Sequence, residues 1–202
     1  FTHLKRGNAY FVFKQFIKVP ATGRKKVMTD KKTCLGRGKS VILGIICFAI
    51  LVFVDQITKW LPVLHLKDRP SFVLIKNVFE LYYLENRGAA FGIFQGKRVV
   101  FLIMTVVILL FLAYCFWKIP YTAKFNSLRV VLVLIAAGAV GNFIDRMANG
   151  YVVDFFYFKL INFPVFNVAD IYVTCSAVFL AILLIFRYKE EDLNQLVKSL
   201  KG

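Results

Sequence analysis

The chain has 202 residues, of which 59% are hydrophobic and 16% aromatic, and its formal net charge is +16. Soluble domains usually contain about 45–50% apolar residues, so this composition excludes an ordinary soluble domain and indicates a one-domain membrane protein. The four cysteines show no C-x-x-C spacing, and neither histidine lies near the acidic residues discussed below. The sequence therefore predicts no disulfide framework, no metal site and no cofactor.

The first 40 residues are strongly basic, with eleven Lys and Arg against the single acid Asp30, and they carry +10 of the net charge. Directly before an apolar helix, such a block indicates an anionic membrane surface as its partner, and we expect no nucleic acid. Residues 1–40 are interpreted as a basic cytoplasmic segment. Because the sequence begins with Phe1, Met28 is a candidate natural start, which would make residues 1–27 non-native.

Four apolar segments approach the length of about 20 residues that a membrane span needs. They cover residues 41–60, 99–117, 130–147 and 170–186. The sequence therefore predicts a mostly α-helical membrane protein with one four-helix domain over residues 41–187. The charged tail 188–202 is expected to form a short cytoplasmic surface helix.

The first span runs into the motif D-Q-I-T-K-W, in which Asp55 and Lys59 can pair across one helical turn. Two interpretations remain open on these residues alone. One is an interfacial salt bridge beside Trp60, and the other is a carboxylate that supports a functional site at this end of the bundle. Pro62, just beyond, is expected to end the helix.

Residues 61–98 form the longest segment between spans. Val73–Ile75 and Val78–Leu84 have the composition of strands, so we expect a small sheet, whose backbone can be satisfied only outside the hydrocarbon. The segment continues with E-N-R-G-A-A-F-G. Close packing would explain the small residues from Gly88 onward, but it does not explain the adjacent Asn86.

Four spans place both termini on the same side of the membrane. Three basic segments share that side: the N-terminal block, the loop between the second and third spans and the residues after the fourth span. By the positive-inside rule, that side is cytoplasmic. The predicted sheet is then extracytoplasmic. The same topology brings polar residues from different segments to the extracytoplasmic face, namely Asp55, Asn86, Asp145, Asp154 and Asp170.

The stretch from G-N-F-I-D-R to F-N-V-A-D carries three acids beside membrane segments, where ionisable groups are costly and indicate function. Asn142 and Asp145 are three residues apart, as are Asn167 and Asp170, and this spacing would put each pair on one helical face. On this spacing, Asp145 and Asp170 form a candidate pair that shares one proton and activates water. Asp154, in the extended run Y-V-V-D-F-F, remains a rival member of that pair.

Three classes of function fit these acids: a water-activating protease, a proton-coupled carrier and a non-enzymatic membrane scaffold. A carrier would place its acids across the bilayer, whereas these cluster at one face, and the sequence shows no inverted repeat. A scaffold has no need of three acids and several Asn on one surface. The protease interpretation is therefore favoured.

The motifs D-Q-I-T-K, E-N-R-G-A-A-F, G-N-F-I-D-R, V-V-D-F-F and F-N-V-A-D, in this order, closely resemble those of the bacterial lipoprotein signal peptidases (signal peptidase II) over residues 41–187. The resemblance implies that Asp154 and Asp170 are the catalytic pair, with Asp145 in a supporting role. Arg146 adjoins Asp145 but is expected to pair with another group. The supporting or substrate-binding positions that the motifs imply are Asn86, Gly88, Asn142, Asp145, Arg146, Asn167, Ala169, Asp55 and Lys59.

The resemblance also implies an aspartyl endopeptidase of the bacterial cytoplasmic membrane, with its active site at the extracytoplasmic face. Its expected partners are membrane lipids and diacylglyceryl-modified prolipoproteins, which it would cut just before the lipid-modified Cys. We expect a monomer without a metal, in which the small sheet and the segment Asn86–Phe94 hold the peptide over the acids.

Overall fold

The computed structural model describes residues 36–88 and 98–201. The candidate start Met28 and most of the predicted peptide-holding segment, residues 89–94, lie outside the described residues. Within the described residues, four helices are long and apolar enough to cross a membrane, which confirms the predicted class. They are α1 (Arg37–His65), α2 (Arg98–Lys118), α3 (Asn126–Ala148) and α4 (Val168–Ile182), which continues as a π-helical turn over Leu183–Arg187.

The prediction that Pro62 ends the first helix is wrong, because α1 continues through it to His65. Proline removes one backbone hydrogen bond and its ring crowds the carbonyl four residues earlier. Because Pro62 lies in the last turn of α1, only that turn has to accommodate both effects. The carbonyl of Pro62 accepts from the amides of both Leu66 and Lys67, at 2.8 and 3.2 Å, and these bonds close the last turn.

The third span, which includes α3, is the central helix of the bundle. A third of its apolar window is buried inside the protein, against 6% for the span formed by α1. A methyl group added at Gly138 would lie 2.5 Å from the carbonyl oxygen of Ala169 on α4, and one at Gly141 would collide with the carboxylate of Asp55 on α1. The small residues of α3 therefore let both neighbouring helices approach its backbone.

A three-stranded antiparallel sheet lies at one end of the bundle, in the order β1 (Phe72–Ile75), β2 (Phe79–Asn86) and β3 (Val152–Tyr157). The first two strands were predicted. The third joins them through a register that sets Leu84 opposite Asp154. This pairing carries the end of β2 to the segment that connects α3 with α4.

The opposite end of the bundle is closed by a short amphipathic helix, α5 (Glu190–Lys201), which confirms the predicted helical tail. Leu196 on α5 is buried in the same apolar cluster as Phe125 and Tyr188. An ion pair between Lys124 and Asp192 also joins the two sides of this contact.

We expect Gly138→Ala to lower the free energy of unfolding by about 1–3 kcal/mol, the usual effect of overpacking a tight contact. The added methyl meets a backbone oxygen, which cannot rotate away. Thermal unfolding in detergent measures the change. Gly38→Ala is the matched control because its methyl meets nothing within 4 Å. An equal loss of stability in both variants would contradict the close helix approach.

Candidate active site

The polar residues expected at one face meet beside the sheet. Lys59 lies at one end of a continuous hydrogen-bonded network and Asn86 at the other. The network comprises Asp55, Lys59, Asn86, Asn142, Asp145, Asp154, Asn167 and Asp170. Residues from α1, β2, α3, β3 and α4 thus build one site.

Asp154 and Asp170 are joined through Asn167. The side-chain amide of Asn167 donates to Asp154 Oδ1 at 2.6 Å, while its backbone N–H donates to Asp170 Oδ2 at 3.1 Å. The remaining oxygens accept from other amides, Asp154 Oδ2 from Asn86 at 2.8 Å and Asp170 Oδ1 from Asn142 at 2.9 Å. Each carboxylate is therefore held by two neutral donors, which fix its orientation without adding a charge.

The prediction that Asn167 and Asp170 share one helical face is wrong. Asn167 is the N-cap of α4 and has an extended backbone, with φ −129° and ψ −176°. It forms a capping box, in which its side chain accepts from Asp170 N while the Asp170 side chain accepts from Asn167 N. The i, i+3 spacing occurs in both arrangements, and only the start of α4 distinguishes them.

Asp145 occupies a different environment from the two acids above. Its carboxylate lies 3.2 Å from the ammonium of Lys59 and accepts from Gln56 at 3.1 Å and from the backbone N–H of Val153 at 3.1 Å. The Asn142 amide, three residues before Asp145 on α3, donates to Asp170 and not to Asp145. Asp145 therefore supports the residue that precedes Asp154.

Asp55 and Lys59 form the expected i, i+4 ion pair at 2.9 Å, with side-chain exposures of 0% and 4%. Both side chains are therefore buried within the protein, which favours a carboxylate that supports a functional site over an interfacial salt bridge. The second oxygen of Asp55 accepts from the backbone N–H of Ala169 at 2.8 Å. This bond satisfies a free amide in the first turn of α4 and ties that turn to α1.

Arg146 donates to backbone oxygens. Its two terminal nitrogens lie 3.4 Å from Asn142 O and 3.2 Å from Gly88 O, and its guanidinium stacks over the ring of Phe101 at 4.6 Å. Gly88 N in turn donates to the side-chain oxygen of Asn86. Arg146 thus fixes the segment that follows β2 against α3.

A cavity of about 1320 Å³ opens over Asp154 and Asp170. One wall comes from the sheet and the loop before α4, including Tyr82, Tyr157 and Phe166, and another from α4 itself. The α4 wall consists of Ile171, Thr174 and Cys175. The cavity therefore joins a polar floor to an apolar wall that continues along a membrane helix.

Two polar side chains in this region were missed from the sequence. Gln56 donates to both Asp55 and Asp145, and its position between Asp55 and Lys59 at the polar end of the first span was the available signal. Glu80 on β2 is buried and pairs with Lys159 at 2.7 Å. That hydrogen bond holds the pKa of Glu80 below its usual value. No signal in the sequence links these last two residues, since the sheet and the following loop bring them together.

Electrostatics distinguish Asp154 from an ordinary surface carboxyl. Burial, followed by the charge of Asp170, raises the pKa of Asp154 from 3.8 to about 7, although hydrogen bonds from Asn86 and Asn167 oppose the shift. Two carboxyls with such coupling can hold one proton between them at neutral pH. Within residues 36–88 and 98–201, no group of three or more His, Cys, Asp or Glu could hold a metal ion.

Residues 47–186 match the family model described as signal peptidase (SPase) II. The chain belongs to the signal peptidase II family. It is 44% identical over 146 residues to the lipoprotein signal peptidase of Caldanaerobacter subterraneus subsp. tengcongensis, covering 72% of this chain and 97% of that protein. The corresponding enzyme of Clostridium novyi is 42% identical over 144 residues, covering 70% and 95%.

The fold agrees with this family. A solved structure of a bacterial membrane enzyme is similar with a TM-score of 0.63 and 34% sequence identity, over 76% of this chain and 93% of that one. Membership of the signal peptidase II family, together with four apolar helices, makes the chain a multi-pass membrane protease.

The raised pKa of Asp154 predicts how folding stability depends on pH. The folded protein keeps this proton up to about pH 7, whereas the unfolded chain releases it near 3.8, so folding is favoured at low pH and the contribution is lost as pH rises toward 7. Relative to Asp154→Asn, the wild type should therefore lose thermal stability between pH 4 and 7. Melting curves in detergent measure this difference.

The matched control for this measurement is Asp68→Asn, at an exposed position whose positive φ of 58° suits Asn as well as Asp. Its melting temperature should follow that of the wild type at every pH. Parallel curves for the wild type and Asp154→Asn would contradict the raised pKa.

Proposed function

We propose that this protease is an aspartic endopeptidase that removes signal peptides from diacylglyceryl-modified prolipoproteins, cutting just before the lipid-modified Cys. The observation that carries the proposal is the meeting of Asp154 and Asp170 across Asn167 in a large cavity beside membrane helices. The curated relatives named lipoprotein signal peptidase support the choice of substrate.

The catalytic step uses the shared proton of the pair. Asp154 holds it, because burial and the nearby charge of Asp170 raise the pKa of Asp154 to about 7. Asp170 lies in the first turn of α4, where the helix dipole stabilises a negative charge. Asp170 takes a proton from water as its oxygen attacks the scissile carbonyl, and Asp154 donates a hydrogen bond to the developing oxyanion. The tetrahedral intermediate then collapses, the C–N bond to the lipid-modified Cys breaks, and Asp170 passes its proton to the leaving amine.

The cavity accounts for both parts of the substrate. The signal helix and the acyl chains lie in lipid against the α4 wall formed by Ile171, Thr174 and Cys175. The extended peptide around the lipidated Cys crosses the polar floor beneath β2 and β3. Arg146 holds Gly88, so the backbone beside Asn86 stays close to Asp154 when the peptide binds.

The sheet and the two acids face the extracytoplasmic side in this proposal. The basic residues after α2 and α4 lie at the other end, and the positive-inside rule places that end in the cytoplasm. In this proposal the lipidated Cys of the substrate also lies at the outer surface, where the sheet can remain outside the hydrocarbon. The charged C-terminal helix α5 and the basic N-terminal segment are then cytoplasmic.

Cleavage of a purified diacylglyceryl-modified prolipoprotein, followed by gel shift and mass spectrometry, tests the proposal. Asp154→Asn and Asp170→Asn should each lose about 10²–10⁴-fold in rate, the usual contribution of a positioned acid or base, while still inserting and folding. Asp145→Asn should retain more activity, because a carboxamide oxygen can still accept from Val153 N.

Each outcome of this experiment has a distinct meaning. If Asp154→Asn still cleaves the substrate and Asp145→Asn does not, the assignment of Asp154 and Asp170 as the catalytic pair is contradicted. Asp145 with Asp170 would then be favoured. A well-folded wild type that leaves the substrate whole would contradict the proposed substrate. The cleaved product should begin with the lipid-modified Cys, and any other new N-terminus would contradict the proposed cut position.

A further inference from the structure

Lys59 is a buried cation that the catalytic step does not use. Its side chain is 4% exposed, and its ammonium lies within hydrogen-bond distance of three oxygens. These belong to Asp55 at 2.9 Å, Asp145 at 3.2 Å and Asn142 at 2.9 Å. Each of the three acceptors leads, by one further hydrogen bond, to Asp154, Asp170 or a residue directly before one of them.

We propose that Lys59 is a positioning residue that fixes the hydrogen-bond polarity around Asp154 and Asp170. It does so mainly by orienting the side-chain amide of Asn142. It also neutralises Asp55 and Asp145, which hold the backbone on the N-terminal side of each acid. This inference rests on the proposed function, in which Asp154 and Asp170 are the catalytic pair.

The orientation of the Asn142 amide follows from the donors and acceptors around it. An ammonium group has donors and no acceptor, so the atom of Asn142 that faces Lys59 must be its oxygen. The Asn142 nitrogen is then turned toward Asp170 Oδ1, at 2.9 Å. The same Asn142 oxygen accepts from Asn167 Nδ2 at 3.1 Å, and that nitrogen also donates to Asp154 Oδ1. Lys59 thereby sets the direction of the Asn142 amide, and its oxygen meets the Asn167 amide, whose own direction is set by the capping box with Asp170.

A second set of contacts ties Lys59 to the backbone beside Asp154 and Asp170. Asp55 accepts from the N–H of Ala169, the residue before Asp170, and Asp145 accepts from the N–H of Val153, the residue before Asp154. Buried carboxylates are stable only when paired or neutralised. Lys59 pairs with both at once.

Arg146, a second basic group near these acids among the described residues, does not take over this role. The guanidinium of Arg146 donates to the backbone oxygens of Asn142 and Gly88. Gln56 bridges Asp55 and Asp145 but carries no charge. Removing Lys59 would therefore leave two buried carboxylates without their cation, and it would take from the Asn142 oxygen its charged donor, so that only the longer contact from Asn167 Nδ2 holds that oxygen among the described contacts.

If Lys59 only stabilises the fold, a variant that regains stability should also regain activity. Comparing Lys59→Met with a variant that lacks all three buried charges distinguishes this purely structural role from the positioning role. Lys59→Met alone should lower the melting temperature, because it leaves two buried charges. The triple variant Asp55→Asn, Lys59→Met, Asp145→Asn removes all three charges, and its carboxamide oxygens can still accept from Ala169 N and Val153 N. Its melting temperature should recover toward that of the wild type.

Steady-state cleavage of the lipidated prolipoprotein by these full-length enzymes in lipid nanodiscs gives the decisive readout. The triple variant should keep a KM within about threefold of the wild type and lose about 100-fold in kcat, the effect expected when a reacting group is misplaced by a small distance. Lys76→Met, the same substitution at an exposed lysine between β1 and β2, should retain the wild-type kcat.

Recovery of kcat together with the melting temperature in the triple variant would overturn the proposal and leave Lys59 a purely structural role. A triple variant that fails to fold would overturn it too, because the proposal attributes the folding defect of Lys59→Met to unpaired charge alone. Asp170→Asn in the same assay separates this inference from the proposed function. If Asp170→Asn cuts as fast as the wild type, it is the catalytic pair that is wrong.

Discussion

The structure depends on keeping several carboxylates buried beside a membrane, where an unpaired charge is costly. Asp55 is 0% exposed, Asp154 1% and Asp145 4%, so water cannot supply their hydrogen bonds. The protein supplies two kinds of partner instead. Asp55 and Asp145 share the ammonium of Lys59 and hold backbone amides, whereas the donors to Asp154 are the neutral amides of Asn86 and Asn167. The charged donor Lys59 thus stabilises a supporting frame made of Asp55, Asp145 and the backbone amides that they hold. The neutral donors leave Asp154 able to carry a proton at neutral pH.

The rest of the fold brings these partners into reach. Gly138 and Gly141 let α1 and α4 approach the backbone of α3, so Asp55 can meet the first turn of α4. Pairing of β3 with β2 carries Asn86 to Asp154, and the capping box at Asn167 starts α4 with its free amides facing the acids. A local feature of sequence, the N-cap, and a tertiary feature, the strand pairing, are therefore both required to assemble one site.

The parts of this arrangement that depend on composition or local spacing could be predicted from the sequence. Apolar runs gave the four spans, β-type composition gave the first two strands, and the i, i+4 spacing gave the ion pair of Asp55 with Lys59. Features that depend on tertiary contacts could not be predicted. The i, i+3 spacing does not tell a helical face from a capping box, and nothing local shows that the Asn142 amide turns toward Asp170 and away from Asp145.

Infrared difference spectroscopy of the carboxyl stretch, recorded from pH 5 to 9 in lipid, tests most directly whether this frame keeps one proton on the pair. The account predicts that a protonated carboxyl band disappears as pH rises through about 7 in the wild type and that this transition is missing from Asp154→Asn. It would be contradicted if no carboxyl lost a proton in that range, or if the transition persisted unchanged in Asp154→Asn.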